Sequence, residues 1–273
     1  MILCMVEQSL TTAVVSYPVE QGWWKSDGSI ELVPPQTAGQ VAAAGCAALM
    51  SSVEVCYLVD THAIVTDVGL VSHHSGPVAI WTPRRPDEIE HAPVSLGDVS
   101  LTAEALARVT LGHFYGIEAD GYLRGDEVID GEAPPLFVRE GLSAFHPPES
   151  GELNDLVRAW FILTSFPLPT HLLVVPREIA EQEPDEVESL VTTLRSILDI
   201  SHQKRRELRR DLASDLDLDR DRFSAFQQDQ TTAVSKSVRK AWLDLLRRVS
   251  RSMKLPPVTE PLFIMALTAE SSE

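Results

Sequence analysis

The chain has 273 residues, of which 44% are hydrophobic and 23% charged, an ordinary composition for a globular protein. Its 40 acidic residues outnumber its 23 Lys and Arg residues, so the formal net charge is -17. A surface this acidic repels phosphate backbones and anionic membranes, so we expect neither a nucleic-acid nor a membrane partner. Apolar runs stay shorter than the roughly 20 residues of a membrane span. The opening residues also lack the pattern of a signal peptide, which predicts a cytoplasmic protein.

The first half of the chain consists of short apolar runs separated by Pro, Gly and polar turns. Such runs predict strands, here at residues 11–18, 30–33, 46–52 and 77–81. The Ala-rich segment 37–47 predicts a helix that stops at Gly45. This alternation indicates a β–α–β beginning.

The middle of the chain continues the alternation. A strand is predicted at 93–100 and a helix at 101–116, with Ser100 as its N-cap. The same patterns predict three further elements, a strand at 136–138, a helix at 152–163 and a strand at 171–175.

After Pro176 the pattern changes to long amphipathic helices, from Asp185 onward and at 237–249. The segment 204–222 interleaves both charge signs, which favours a solvated helix face. The apolar run 262–267 is either a last strand or a docking segment. The whole pattern predicts an α/β protein with a helical C-terminal third.

Metal and disulfide chemistry are not indicated. Cys4, Cys46 and Cys56 are odd in number and lack metal-ligand spacing, so we expect reduced thiols. The adjacent His73 and His74 point apart, and no third ligand accompanies them. We therefore expect no metal and no cofactor.

Two places carry candidate chemistry. At the predicted helix start, the free N–H groups of Ser100 to Ala103 and the hydroxyls of Ser100 and Thr102 suit a carboxylate. Simple N-capping explains the same residues and stays open. His171 opens an apolar strand after a Pro-rich turn, either as a proton shuttle in a cleft or as a structural histidine.

Several segments resemble one family. DLVRAWFILTSFPLPTHLLVV (155–175) is similar to a family segment with Asp-Leu, Trp and Thr-Gly-x-Pro followed by an apolar strand. Residues 33–55, 75–81, 97–106 and 136–142 resemble further family segments in the same order, so the likeness spans roughly residues 12 to 250. The family is that of the menaquinone-biosynthesis proteins of the futalosine route, the relatives of chorismate dehydratase and cyclic dehypoxanthinyl-futalosine synthase.

The resemblance implies a two-lobed fold like that of type II periplasmic binding proteins, with a ligand cleft between the lobes. It places one lobe at 1–82 plus 176–273 and the other at 83–175. The backbone is then expected to cross between the lobes near 82–86 and 173–178.

The resemblance also implies a function, a lyase that eliminates water from chorismate in the cleft. The alternative is a non-catalytic protein, a sensor or paralogue, that binds a small carboxylate there; a homodimer is left open. The weak catalytic candidates are Ser16 and His171. The residues expected to bind substrate are Ser51, Ser52, Gly76, Ser100, Thr102, Ala103 and Thr170.

The family motifs are incompletely kept. Val15 stands where family dehydratases carry an Asn three positions before a Pro, and Leu101 and Ala103 replace the Arg and second Ser of the helix start. Arg139 and Glu140 stand where the family has Gly-Asp. Together these changes leave fewer of the polar side chains that would complete an acid–base site, while anion binding by backbone N–H groups survives.

Overall fold

The computed structural model describes residues 2–125, 135–215 and 218–266. In chain order these residues form the strands β1 (Cys4–Glu7), β2 (Ile30–Val33), β3 (Ala47–Ser51), β4 (His62–Ser72), β5 (Val78–Thr82), β6 (His91–Ser95), β7 (Glu118–Leu123), β8 (Leu136–Glu140), β9 (Glu152–Asp155), β10 (Leu168–Pro176) and β11 (Phe263–Ile264). The helices are α1 (Ala13–Glu20), α2 (Ala38–Ala44), α3 (Leu101–Thr110), α4 (Leu156–Thr164), α5 (Arg177–Gln182), α6 (Pro184–Gln203), α7 (Arg205–Asp215), α8 (Arg220–Asp229) and α9 (Lys236–Val249).

The strands form two sheets, each the centre of one lobe. The first lobe has six strands in the order β11-β4-β10-β3-β1-β2, and the second has five in the order β7-β6-β8-β5-β9. In the first sheet β1, β2 and β3 are parallel, and β10 runs antiparallel between β3 and β4. The carboxyl ends of β1 and β3 therefore lie side by side.

Most predicted elements are confirmed. The strands at 30–33, 46–52, 77–81 and 171–175 correspond to β2, β3, β5 and β10, and the last apolar run contains β11. The helix after 37 ends at Gly45, whose φ of 61° is left-handed and therefore suits glycine. Ser100 is the N-cap of α3, with its side chain accepting from the Ala103 N–H.

The predicted strand at 11–18 is wrong, because residues 13–18 lie in the helix α1. The first strand is instead β1, which lies between β2 and β3 in the sheet. After it, the Thr12 hydroxyl accepts from the Ser9 N–H and donates to the Glu7 carbonyl, which turns the chain into the helix. Val15 then packs into the core beneath the sheet together with α6 side chains such as Leu194. Tertiary packing thus overrides the strand preference of Val14 and Val15.

The lobes are joined earlier in the chain than predicted. β5 pairs with β8 and β9 in the second sheet, and β10 pairs with β3 and β4 in the first. The chain therefore passes between sheets at 73–77 and 165–167, rather than at 82–86 and 173–178. The turn that follows β5 marks the exit from a strand of the second lobe. We propose that the lobe boundaries lie at these two joins.

One helix links the cores of both lobes. α9 buries Val238, Trp242 and Leu245 in a hydrophobic cluster that also contains Leu106 of α3 and Trp160 of α4. The indole Nε1 of Trp242 donates to the carbonyl of Ser52, just after β3, at 2.8 Å. The helical C-terminal third is therefore part of the junction between the lobes.

Candidate functional site

The two lobes meet at the carboxyl end of β3 and the start of α3. The Thr102 hydroxyl lies 2.8 Å from the Ser51 hydroxyl and 3.2 Å from the Ser52 hydroxyl, and it accepts from the Val53 N–H at 3.0 Å. Ser51, Ser52 and Thr102 are 4%, 0% and 2% exposed. The structure thus brings three predicted substrate-binding residues together, but it bonds them to one another.

A carboxylate of the chain itself occupies the start of α3. Glu140, the last residue of β8, accepts from the Ser100 N–H at 2.6 Å and from the Ser100 hydroxyl at 2.7 Å. A helix start favours an anion because its N–H groups are unpaired and carry partial positive charge. The predicted carboxylate position is therefore filled by Glu140 rather than left for a ligand.

A second internal carboxylate lies at the end of β1. Glu7, which is 4% exposed, accepts from the Gln36 N–H at 3.0 Å and from the Ser51 N–H at 3.1 Å. One buried carboxylate thus accepts hydrogen bonds from two backbone N–H groups at this edge of the first sheet. Sequence reasoning missed Glu7 because one acidic residue after a short apolar run resembles an exposed strand end.

His171 completes the group that we call the cleft floor. The imidazole Nε2 of His171 lies 3.5 Å from Glu7 Oε2, and the residue is 6% exposed. Its Nδ1 has no hydrogen-bond partner among the described residues. Burial raises the pKa of Glu140, and the nearby charge of Glu7 raises it further. The hydrogen bonds from Ser100 and the interaction with His171 lower this pKa and offset part of the rise. The floor is defined by Glu7, Ser51, Ser52, Ser100, Thr102, Glu140 and His171.

The other predicted site residues have structural partners. The Gly76 N–H donates to Asp155 at 3.1 Å, and a Cβ at Gly76 would lie 2.1 Å from Val157, so this glycine permits close packing. The Thr170 hydroxyl donates to the Leu70 carbonyl at 2.9 Å. The Ala103 N–H belongs to the α3 cap, and Ser16 is a buried residue within α1.

Helices α7 and α8 cover an apolar cluster beside the floor. Phe145, which follows β8, packs against Phe223 and Phe226 of α8, with ring centroids 5.6 and 5.5 Å away. Leu10, from the loop between β1 and α1, joins the same cluster. At the far end of α8 the Gln230 amide donates to the Thr11 carbonyl at 3.0 Å. α8 therefore contacts both lobes.

The joins between the lobes are held by two more carboxylates. Asp229 accepts from the Ser75 N–H at 2.9 Å and from the His73 N–H at 2.8 Å, and its other oxygen lies 2.9 Å from His74 Nδ1. Asp155 caps α4 and accepts from the Ser75 hydroxyl at 3.2 Å. These bonds fix the first join to α8 and to α4.

Within the described ranges, no group of three or more His, Cys, Asp or Glu is arranged to hold a metal ion. Cys4, Cys46 and Cys56 are buried free thiols, and burial raises the pKa of Cys56 to about 12. In the same part of the chain, no helix has the length and apolar character needed to cross a membrane.

Replacing Thr102 by Val tests whether its hydroxyl serves structure. The variant keeps the side-chain shape but leaves the buried Val53 N–H and Ser51 hydroxyl without a partner. We expect the free energy of unfolding to fall by about 1–3 kcal/mol, measured by urea denaturation. The exposed Thr192→Val on α6 serves as control and should stay within about 0.5 kcal/mol of the wild type. Unchanged stability together with weaker carboxylate binding would instead place Thr102 in a ligand site.

Solved structures share this fold at low sequence identity, and some of them are titled as ligand-binding proteins. A ligand-binding component of an ABC-type import system from Staphylococcus aureus, solved with zinc bound, is 10% identical with a TM-score of 0.65, covering 99% of this chain and 98% of that one. The periplasmic aliphatic sulphonate binding protein SsuA from Escherichia coli is 11% identical with a TM-score of 0.61, covering 98% and 95%. A Candida albicans gene product with the generic periplasmic binding protein fold is 11% identical with a TM-score of 0.58, covering 95% and 92%. The chain has this two-lobed α/β fold.

Comparison with curated proteins returns no match. Comparison with family models returns a match to the family described as menaquinone biosynthesis, over residues 23–251. This range includes the whole second lobe and most of the cleft floor, and Glu7 lies outside it. The chain therefore belongs to the menaquinone-biosynthesis family.

Proposed function

We propose that this chain is a non-catalytic small-molecule-binding member of its family, with the ligand position in the cleft between its lobes. The family supports a role in menaquinone biosynthesis. The observation that carries the proposal is the position of Glu140, which holds the N–H and hydroxyl of Ser100 at the start of α3. Those donors are the ones that a carboxylate substrate needs.

The charges of the cleft floor favour a particular class of ligand. Glu7 and Glu140 already place two carboxyl groups at the floor, with His171 as the neighbouring base. Chorismate brings two more carboxylates, and like charges at short distance in a partly desolvated site are unfavourable. A neutral or cationic ligand that donates hydrogen bonds suits these acceptors better. Its binding requires the hydroxyl contacts between Thr102 and Ser51 to separate.

A specific observation favours a second candidate, the chorismate dehydratase-like lyase. His171 beside Glu7 forms a histidine–carboxylate pair, and the pKa of Glu140 is raised by burial. Groups of this kind serve as general bases and acids, because their environments tune proton affinity. The same experiment separates the two candidates.

Incubating the purified protein with chorismate tests the proposal. We expect no 3-[(1-carboxyvinyl)oxy]benzoate by liquid chromatography, and no heat of chorismate binding by calorimetry, since the anion positions are filled. Product that appears with the wild type and is lost in His171→Gln, but kept in the exposed control His113→Gln, would establish the lyase and overturn the proposal.

The pKa of Glu140 predicts a pH dependence of stability. Its raised pKa in the folded state means that the unfolded chain releases this proton first as the pH rises. The contribution of Glu140 to stability is therefore fully present below its ordinary pKa of about 4.3. It is lost as the pH rises through the raised folded value. We expect the wild type to lose stability relative to Glu140→Gln across this window, measured by urea denaturation from acid to neutral pH.

The comparison keeps the neighbouring titratable groups in place, because Glu7, His171 and Asp155 are present in both proteins. The exposed Glu152→Gln on β9 is the matched control and should follow the wild type through the window. A wild type that gains stability over Glu140→Gln as the pH rises would mean that the Ser100 hydrogen bonds outweigh burial.

A further inference from the structure

Four arginines line a groove between α7 and α8, away from the cleft floor. The groove has a volume of about 400 Å³, and its lining includes Arg206, Arg209, Arg210, Arg220 and Ser224. The carboxylate that lines it, among the described residues, is Asp221. Positive charge so concentrated is unexpected in a chain with 23 basic and 40 acidic residues.

The helix sequence explains why these arginines converge. Positions 206, 209, 210 and 213 share one face of α7, while Leu208 and Leu212 turn toward the apolar side. Sequence reasoning treated the segment as a solvated face of mixed charge. The structure agrees with exposure at Arg206, Arg210 and Arg220, and it also places these arginines along one groove.

These guanidinium groups are only partly neutralised. Arg210 Nε donates to Asp211 at 2.9 Å, and Arg209 donates to the Ser224 hydroxyl at 2.8 Å. Arg206 and Arg220 have no acidic partner within ion-pair distance in the described part of the chain. Next to them, burial lowers the pKa of Arg205, and the positive charge of Arg209 lowers it further.

We propose that this groove binds a small multivalent phosphate, a pyrophosphate or a phosphate ester. Planar guanidinium groups donate two parallel hydrogen bonds to phosphate oxygens, and several of them neutralise a multivalent anion. The volume suits a small molecule. The net charge of -17 disfavours a nucleic acid or an anionic membrane, which present phosphates over a long distance. Screening over about 8–10 Å limits that repulsion for a small ion within the groove.

Calorimetric titration with pyrophosphate at about 50 mM and about 150 mM salt tests the site. The double variant Arg206→Gln/Arg220→Gln removes two groove arginines that form no ion pair within the described residues. Both are exposed, so folding should persist. The matched control, Arg84→Gln/Arg251→Gln, removes the same charge at exposed positions elsewhere. We expect the groove variant to bind at least about tenfold more weakly and the control to stay within about twofold of wild type.

Three outcomes would overturn the proposal. The first is the absence of saturable heat when pyrophosphate is titrated into the wild type at the lower salt concentration. The second is equal weakening of binding by the two double variants, which would indicate a general charge effect. Citrate binding in the groove at least as tightly as pyrophosphate would contradict the assignment to phosphate. Weaker citrate binding, together with the expected variant pattern, supports it.

Discussion

An α-helix start needs acceptors for its free N–H groups, and the start of α3 faces the junction of the two lobes. In this chain Glu140 supplies the acceptor, with bonds of 2.6 and 2.7 Å to Ser100. Because β8 ends at Glu140 and α3 begins after Ser100, these bonds also tie a strand of the second sheet to the helix above it. Glu7 does the same for backbone donors of the first lobe. The family fold is kept, while donors that a carboxylate ligand would use are bonded within the protein.

The rest of the junction follows from this internal bonding. The hydroxyl groups of Ser51 and Ser52 contact the hydroxyl of Thr102. Trp242 of α9 extends this network by donating to the Ser52 carbonyl. On another side, α8 packs on Phe145 and its end reaches the loop after β1. Separation of the lobes must break polar contacts and expose apolar surface, which is unfavourable in water. The described conformation is therefore a closed one.

The sequence predicts the individual elements of the junction better than the contacts between them. Ser100 is predicted as an N-cap because its chemistry is local, and the structure confirms that cap. Ser51, Ser52 and Thr102 are predicted to bind substrate, and the structure places their hydroxyl groups together. The resemblance noted Glu140 as a departure from the family pattern, but its bonds to Ser100 depend on the pairing of β8 within the second sheet. Those partners lie 40 residues apart in the chain. Local patterns do not report contacts of that range.

The helix α1 shows a different error, in which local preference predicts the wrong type of element. Its Val14 and Val15 favour a strand, so the first strand was expected in the wrong place and Glu7 was overlooked. The helix forms because the turn at Thr12 starts it and the packing against α6 buries its apolar face. The resemblance makes Ser16 a candidate beside Val15, and both residues lie within α1. Glu7, which ends β1, was not considered.

The central claim is that Glu140 takes the place of a ligand carboxylate at the start of α3. Calorimetric titration of Glu140→Ala with acetate tests it most directly, because this substitution frees the Ser100 N–H and hydroxyl without adding another acceptor. The account predicts that one acetate binds the variant, with a dissociation constant of roughly millimolar order, and that the wild type shows no saturable binding. Equal acetate binding by both proteins would contradict it.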